Sequence, residues 1–525
     1  MVNLIKDTWL PIIRKDGSRE KIAIHKLLDS YSTNPVMELE APRPDFKNAL
    51  YQLLIGIVQV SAMPEDEEDW AESFEEPYGS DEFSKLVLKY EECFEIDAVG
   101  AAFMQDYELR EAEEKPISAL LIEAPGANTI KNNQAHFIKG GMVEKVDVYW
   151  ATIALYTLQT FAPSGGAGHR VGLRGGGPLT TILLPQGEST LWEKLWFNVI
   201  NEGYLSTLQG DTTLNKKSDI FPWLKPSQLS DKKGSELFST KVHPFHHFFG
   251  MPRRIRLNFI YENVICDLTG DSCDTFVNSY ITKNYGNNYD GAWIHPLNAY
   301  GHDPKKPEEF PLSIKAQPGG IGYRHWLGQA IESERVIPAT VVKLSRESNY
   351  RKDIIKERGF NFWVAGYDMD NMKARCWYDS TMPLFSLEPK EALEVSSILS
   401  NYIKQAQEIS SSLRTSIKSA WANRPGDLKG DMSFIDSAFW QNTETPFYEI
   451  LNELIENLED IEIRNKLCDK WAKVLKEEVE KLFDINALAQ QEDGLNMKRV
   501  VKARQELGKG IGRIIKKMNA LKEEV

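Results

Sequence analysis

The chain reads as an α+β protein, with an irregular mixed α/β domain over residues 1–388 and a C-terminal four-helix bundle over 389–525. Three observations lead there. Up to about residue 388, short β-like runs such as Thr180–Leu184 and Thr340–Leu344 are separated by clusters of Gly, Pro, Asn and Asp. Beyond it, glycine and proline become scarce and helical periodicity takes over. Four segments, about 391–421, 434–458, 462–486 and 496–521, carry apolar residues at steps of three and four, with short connections, which is the pattern of a bundle. In the third these are Ile463, Leu467, Trp471, Leu475, Val479 and Leu482; in the fourth, Val500, Ala503, Leu507, Ile511, Ile514, Met518 and Leu521.

Within the first domain, the opening Leu4–Ile12 predicts a short strand with a turn, and an apolar helix is expected at about 46–62. Residues 65–82 hold ten acids and read as a solvated loop, the alternative being a docking surface for a basic partner. His243, His246 and His247 sit in an aromatic, proline-containing run and are expected to pack rather than to bind metal. Cys266 and Cys273 lack the second pair that a four-ligand zinc site needs, so no metal is expected; Cys93, Cys376 and Cys468 read as core residues.

Composition narrows the function. With 42% apolar and 26% charged residues the chain is globular. Its longest apolar runs fall short of the ~18 residues of a membrane span, and Met1 opens no signal-peptide pattern. Five dispersed cysteines fit a reducing cytoplasm. Seventy-six acids against 62 bases, a formal charge of −14, argue against non-specific coating of nucleic acid but leave room for a local basic site. One candidate is the last helix, where Lys498, Arg499, Lys502, Arg504, Lys509, Arg513, Lys516 and Lys517 are offset by Glu506 alone. That face is either solvated or phosphate-binding. Walker, H-E-x-x-H and G-x-S-x-G motifs are absent, and the glycines at 165–172 miss the dinucleotide-binding spacing by one residue. The chain is therefore expected to be no enzyme and to hold no cofactor.

The most unusual stretch is 162–181, with seven glycines in the thirteen positions 165–177 and with His169, Arg170 and Arg174 among them. Backbone with so little bulk can approach a phosphate or a nucleic-acid groove closely; it can equally make a tight set of structural turns.

In this context the chain resembles the large subunit (CasA) family of the type I-E CRISPR surveillance complex, Cascade. The resemblance is carried in order by Asp7-Thr8-Trp9-Leu10-Pro11, Phe103-Met104-Gln105, Gly126-Ala127-Asn128, Gly172-Leu173-Arg174-Gly175-Gly176 with Pro178 and Thr180-Thr181, Trp293-Ile294-His295-Pro296 and Ala365-Gly366-Tyr367. The helical last quarter completes it. The resemblance implies a cytoplasmic, non-catalytic subunit of a crRNA-guided antiviral complex. It would recognise the protospacer-adjacent motif (PAM) in target duplex DNA, help to open the duplex and recruit a helicase-nuclease, with the other Cascade subunits and crRNA as partners.

It also implies site residues. A glycine loop for the minor groove corresponds to Ser164, Gly165, Gly166, Ala167 and Gly168. A lysine before the Trp-x-His-Pro motif corresponds to Lys283 or, by strict register, Asn284. A wedge at a hairpin tip corresponds to Asp370, Asn371 and Met372, and turn residues there, flanked by Phe362-Trp363-Val364 and Arg375-Cys376-Trp377, independently predict a hairpin. Lys131, Asn132, Asn133 and Gln134 correspond to the loop that anchors the subunit at the crRNA handle. Charge alone nominates Lys502, Arg504, Lys509, Arg513, Lys516 and Lys517 for the displaced strand. The alternatives are a nucleotide- or phosphate-metabolite enzyme built on the glycine-rich loop, and a purely architectural assembly protein.

Overall fold

The computed structural model describes residues 1–124, 141–317, 319–370, 373–428, 430, 432–488 and 496–522. The chain divides into two compact units: Met1–Ala316 with Glu334–Phe385, and Gln317–Ser333 with Ser386–Val525. Among the described residues, no helix is long and apolar enough to cross a membrane.

The first unit is built from small sheets around two buried helices. Leu10–Arg14 pairs antiparallel with Arg19–Ile22 and with Val36–Leu39. Five further strands position the candidate site: β1 (Thr180–Pro185), β2 (Arg254–Ile260), β3 (Phe276–Lys283), β4 (Phe360–Asp370) and β5 (Lys373–Leu384). Strands β2 and β3 pair antiparallel, and β4 is central in the order β5-β4-β1. The expected hairpin is thus present as β4 and β5, closed by the pair Asp370↔Lys373.

Helix α1 (Pro44–Ser61) starts on a proline, which suits a first turn, and is apolar nearly all round. Helix α2 (Val148–Phe161) is capped by Asp147, which accepts from the backbone N–H groups of Tyr149 and Trp150. Tyr367 on β4 donates to Asp45 in the first turn of α1 at 2.6 Å, fastening the hairpin to the helical core.

Two sequence expectations fail here. The acidic segment 65–82 contains two helices, Glu67–Glu75 and Ser80–Leu88, instead of a loop. Asp66 caps the first by accepting from Glu68 N and Asp69 N, and acids in a first turn complement the helix dipole. Trp70, Ala71 and Phe74 supply its buried face. Thr340–Leu344, read as strand-like, lies in the helix Thr340–Glu347. Burial of Val341, Val342, Leu344 and Ser345 on one helical face outweighs the few tenths of a kcal/mol by which β-branched residues disfavour helix.

Helix Asn349–Arg358 is locked to the acidic helix by Arg351, which is wholly buried. Its guanidinium contacts Glu67 at 3.1 and 3.2 Å, donates to the carbonyls of Phe197 and Val199, and lies 3.8 Å from the centroid of Trp70. His246 and His247 are packed in a tight helical turn, Pro244–Phe249. His247 Nδ1 donates to the Pro244 carbonyl at 2.8 Å, and His246 Nε2 meets the Tyr289 hydroxyl at 3.1 Å. Burial pulls His246 down to about 3 and His247 down to about 4.

The second unit is the bundle: α3 (Pro389–Trp421), α4 (Ser433–Glu456), α5 (Ile461–Phe483) and α6 (Met497–Leu521), with α3 packed along α6 and α4 along α5. Arg499 donates to the carbonyls of Ala420 and Trp421 and so closes the C-terminus of α3. The segment 317–333, placed with the first domain by sequence, joins this unit. The reason is Tyr323: its ring stacks on Phe447 at 4.3 Å, meets the edges of Trp440 and Trp471, and its hydroxyl bonds to Thr443 at 2.9 Å.

Two outcomes are expected. Arg351→Met removes the cation from Glu67, which keeps its bond from Asn201, and the donor from two carbonyls, and should lower stability by about 3–5 kcal/mol, read as a fall in the urea midpoint; pairing it with Glu67→Gln should recover part of the loss. Stability should also fall as pH drops from 6.5 to 5. His246 and His247 stay neutral when folded but take up protons when unfolded, costing about 1.4 kcal/mol per pH unit for each. Urea midpoints at pH 7.5, 6.5 and 5, above the carboxylate range, check this.

Candidate nucleic-acid interface

The glycine-rich stretch divides into an exposed loop and a buried packing segment. Helix α2 ends at Phe161, and Ser164, Gly165, Gly166 and Ala167 are exposed. Gly166 and Gly168 adopt φ of +88° and +78°, which glycine reaches without a Cβ penalty. His169 N donates to Gly166 O at 3.1 Å, closing the loop on itself. A Cβ on Gly166 would meet nothing within 4 Å, so this backbone is open to close approach.

The glycines from 172 onward serve a different purpose. A Cβ on Gly172 would lie 2.7 Å from Thr160 O, and one on Gly177 would lie 2.6 Å from Tyr367 O of β4. One on Gly176 would come within 3.1 Å of Pro163 Cα at the base of the exposed loop. These three glycines therefore hold the loop against both α2 and the hairpin. Arg174, counted by sequence among the charges offered to a ligand, is buried instead: it donates to Gln52 Oε1 at 2.6 Å and to Thr180 Oγ1 at 3.0 Å. Arg170 is half-buried and bonds to the Ser230 hydroxyl and carbonyl.

The lysine-loop candidates meet the glycine loop directly. Strand β3 ends at the exposed Lys283. Asn284 Nδ2 donates to Ala167 O at 2.8 Å, and Tyr285 N donates to Gly168 O at 2.7 Å. A Cβ on Gly168 would sit 2.8 Å from Asn284 Cβ, so this junction requires glycine. Lys283 has no ion-pair partner among the described residues, and Asn284 works as the strut between the two loops.

Beneath the loop lies Arg253, which sequence reasoning missed, although Pro252-Arg253-Arg254-Ile255-Arg256 is a basic run. Its Nη2 donates to Pro163 O, its Nη1 is 2.6 Å from the Cβ position of Gly165, and its Nε is buried without a hydrogen-bond partner. No carboxylate pairs with it among the described residues. Burial lowers it to about 10, so it stays cationic at neutral pH. Burial and the neighbouring Arg253 hold His169 below the usual imidazole value. A second missed cation, the exposed Lys315, reaches Gly175 from the bridge Pro178↔Lys315.

On the hairpin, Arg375 grips Asp368 through two hydrogen bonds of 2.9 and 2.7 Å and lies 3.7 Å from Asp370. Asp370 thus ends β4 beside a cation. The other two wedge candidates, Asn371 and Met372, and the anchoring-loop candidates Lys131, Asn132, Asn133 and Gln134 lie outside the described residues, as does Gly126-Ala127-Asn128.

The basic face of α6 is uneven. Arg504 reaches α5 and its continuation, with Asp484 at 3.0 Å and Glu480 at 3.4 Å, and Lys509 is 3.5 Å from Glu506. Lys502, Arg513, Lys516 and Lys517 are exposed and without a carboxylate partner among the described residues. Sequence could not separate these groups, because the acids that engage Arg504 sit 20 and 24 residues away.

For metals, no three His, Cys, Asp or Glu side chains gather among the described residues. Cys266 and Cys273 are free thiols: Cys273 lies in the short hairpin of Val264–Ile265 and Ser272–Cys273, opposite Val264, and Cys266 directly follows its first strand.

The comparisons with known proteins agree with this architecture. The model of the family described as CRISPR-associated protein Cse1 matches residues 3–482. The crystal structure of CasA from Thermus thermophilus is similar with a TM-score of 0.67 at 18% identity, covering 98% of this chain and 99% of that one. Cse1 from Acidimicrobium ferrooxidans is similar with a TM-score of 0.66 at 15% identity, covering 99% and 98%. A chain of a CRISPR RNA-guided surveillance complex gives 0.67 at 15% identity, covering 96% and 99%. A family match over nearly the whole length, on a mixed α/β fold with a C-terminal helical bundle, shows that the chain belongs to the CRISPR-associated Cse1 family.

Proposed function

We propose that this protein is a non-catalytic subunit of a crRNA-guided antiviral surveillance complex, in which it recognises the PAM in duplex DNA, helps to open the duplex and recruits a helicase-nuclease. Family membership and the likeness to a chain of an RNA-guided surveillance complex support the assembly. The DNA role rests on one observation above all: the exposed glycine loop is hydrogen-bonded to the loop after Lys283 and packed through Gly176 and Gly177 onto the hairpin. Three segments far apart in sequence thereby make one continuous surface of open backbone, one free lysine and a β-hairpin arm. A backbone loop without side-chain bulk suits the narrow minor groove, whose hydrogen-bond code is degenerate, so permissive reading of the PAM is expected. Arg253 adds a fixed positive charge under the loop, favouring a polyanion. Displaced-strand contacts fall to Lys502, Arg513, Lys516 and Lys517 on α6, with Lys509 peripheral.

Two measurements test this reading in the assembled complex. Lys283→Ala should weaken target-duplex binding about tenfold. A lysine on phosphate gives a log K against log salt slope shallower by about 1, whereas a lysine on a base edge gives lost discrimination among flanking trinucleotides. Unchanged affinity and discrimination would remove Lys283 from the interface. Replacing Lys502, Arg513, Lys516 and Lys517 together by Ser should reduce the salt slope for opened-duplex binding by about 3, at ~0.7 per single-strand phosphate. Arg504→Gln should instead lower the unfolding midpoint and leave that slope alone.

A further inference from the structure

We propose that Tyr285 is an additional DNA-contacting residue, its ring forming an apolar wall beside the glycine loop against which a sugar edge of the duplex minor groove packs. The inference rests on the duplex-binding reading of this surface.

Four non-glycine residues among those described have positive φ: Ser30, Met104, Gln209 and Tyr285. Tyr285, at +63°, is the one aromatic side chain among them. Left-handed backbone is costly for a bulky residue and free for glycine. Met104 is offset by complete burial in the core. Tyr285 has no such offset, because the residue is 41% exposed. Among the described residues its hydroxyl makes no hydrogen bond and its ring stacks on no other.

The backbone contacts explain the conformation but not the side chain. Tyr285 N donates to Gly168 O, and Tyr285 O accepts from Ser230 N at 3.1 Å. Glycine at 285 would make both bonds without strain. What tyrosine adds is a ring held over the loop: Cε1 and Cδ1 lie 3.0 and 3.1 Å from the Cβ position of Gly168. Tyr285 stands two residues after Lys283, and its ring lies against Gly168, two residues along the loop from the open backbone of Gly166. An exposed apolar face against a bare loop, two residues after an exposed lysine, matches a deoxyribose edge, which offers C–H surface flanked by phosphates. Contacts to sugar position a protein on the duplex without reading base identity.

The test uses the assembled complex with target duplexes carrying a randomised flank, and thermal unfolding of the purified subunit. Tyr285→Gly and Tyr285→Asn, both at ease with positive φ, should keep or raise the unfolding midpoint while weakening duplex binding five- to twentyfold. Tyr285→Phe should bind within twofold of the parent. A fall in midpoint and binding together would make the ring a packing residue and overturn the proposal, as would Tyr285→Phe binding as poorly as Tyr285→Gly. If Tyr285→Gly and Tyr285→Asn bind like the parent while Lys283→Ala is weakened, the inference fails and the duplex reading stands. If Lys283→Ala and Tyr285→Gly are both without effect, the duplex reading itself fails.

Discussion

Backbone meeting backbone at glycine is the constraint on which the candidate surface depends. A Cβ on Gly366 would sit 2.5 Å from Pro178 O, and one on Gly177 would sit 2.6 Å from Tyr367 O. The stretch after α2 is thus pressed against strand β4 before it becomes β1, which pairs with β4 from Thr180↔Ala365 onward. Arg174 pins the same stretch to α1 through Gln52. The exposed loop at 164–168 therefore emerges from a framework fixed on both sides. A ligand meeting it encounters backbone already ordered, and little conformational entropy is left to lose on binding.

Electrostatics inside that framework follow from burial. Arg174 and Arg253 are both lowered to about 10 by desolvation, and neither has a carboxylate partner among the described residues. Both keep their charge at neutral pH in a low-dielectric surround, where a charge acts over a longer range than at the surface. In a protein with a formal charge of −14, Arg253 thus leaves a local positive charge beneath the exposed loop, while Arg174 serves to pin the framework. The acids that make up the overall balance are used elsewhere: Glu67 holds Arg351, Asp66 caps a helix, and Glu480 and Asp484 hold Arg504.

Local periodicity is legible in the sequence and long-range pairing is not. The four bundle helices start and end within about three residues of expectation, because a 3.6-residue repeat is written in each segment. The hairpin is legible from its turn residues and flanking strand formers. The glycine stretch is legible only in part: nothing local separates Gly166, which faces open space, from Gly177, which faces a carbonyl. Arg174 and Arg504 read as available charge because their partners lie 122 and at least 20 residues away. Arg253 escapes notice for the same reason, its partner Pro163 being 90 residues distant. The strand-like reading of Thr340–Leu344 gives way to tertiary burial, and the loop reading of 65–82 overlooks that acids at a helix start are capping residues.

The placement of Tyr323 among Phe447, Trp440 and Trp471 bears on how this gene can be divided. An open reading frame starting at codon 386 would encode all four bundle helices and still omit the aromatic plug at their centre. One stopping at codon 385 would leave that plug with no helices to receive it. The chain passes between the two units at 316/317, 333/334 and 385/386, so no single cut yields both intact. Recombination that exchanges the last quarter between relatives would have to keep residues 317–333 matched to it, tying two stretches of coding sequence some fifty codons apart into one inherited module.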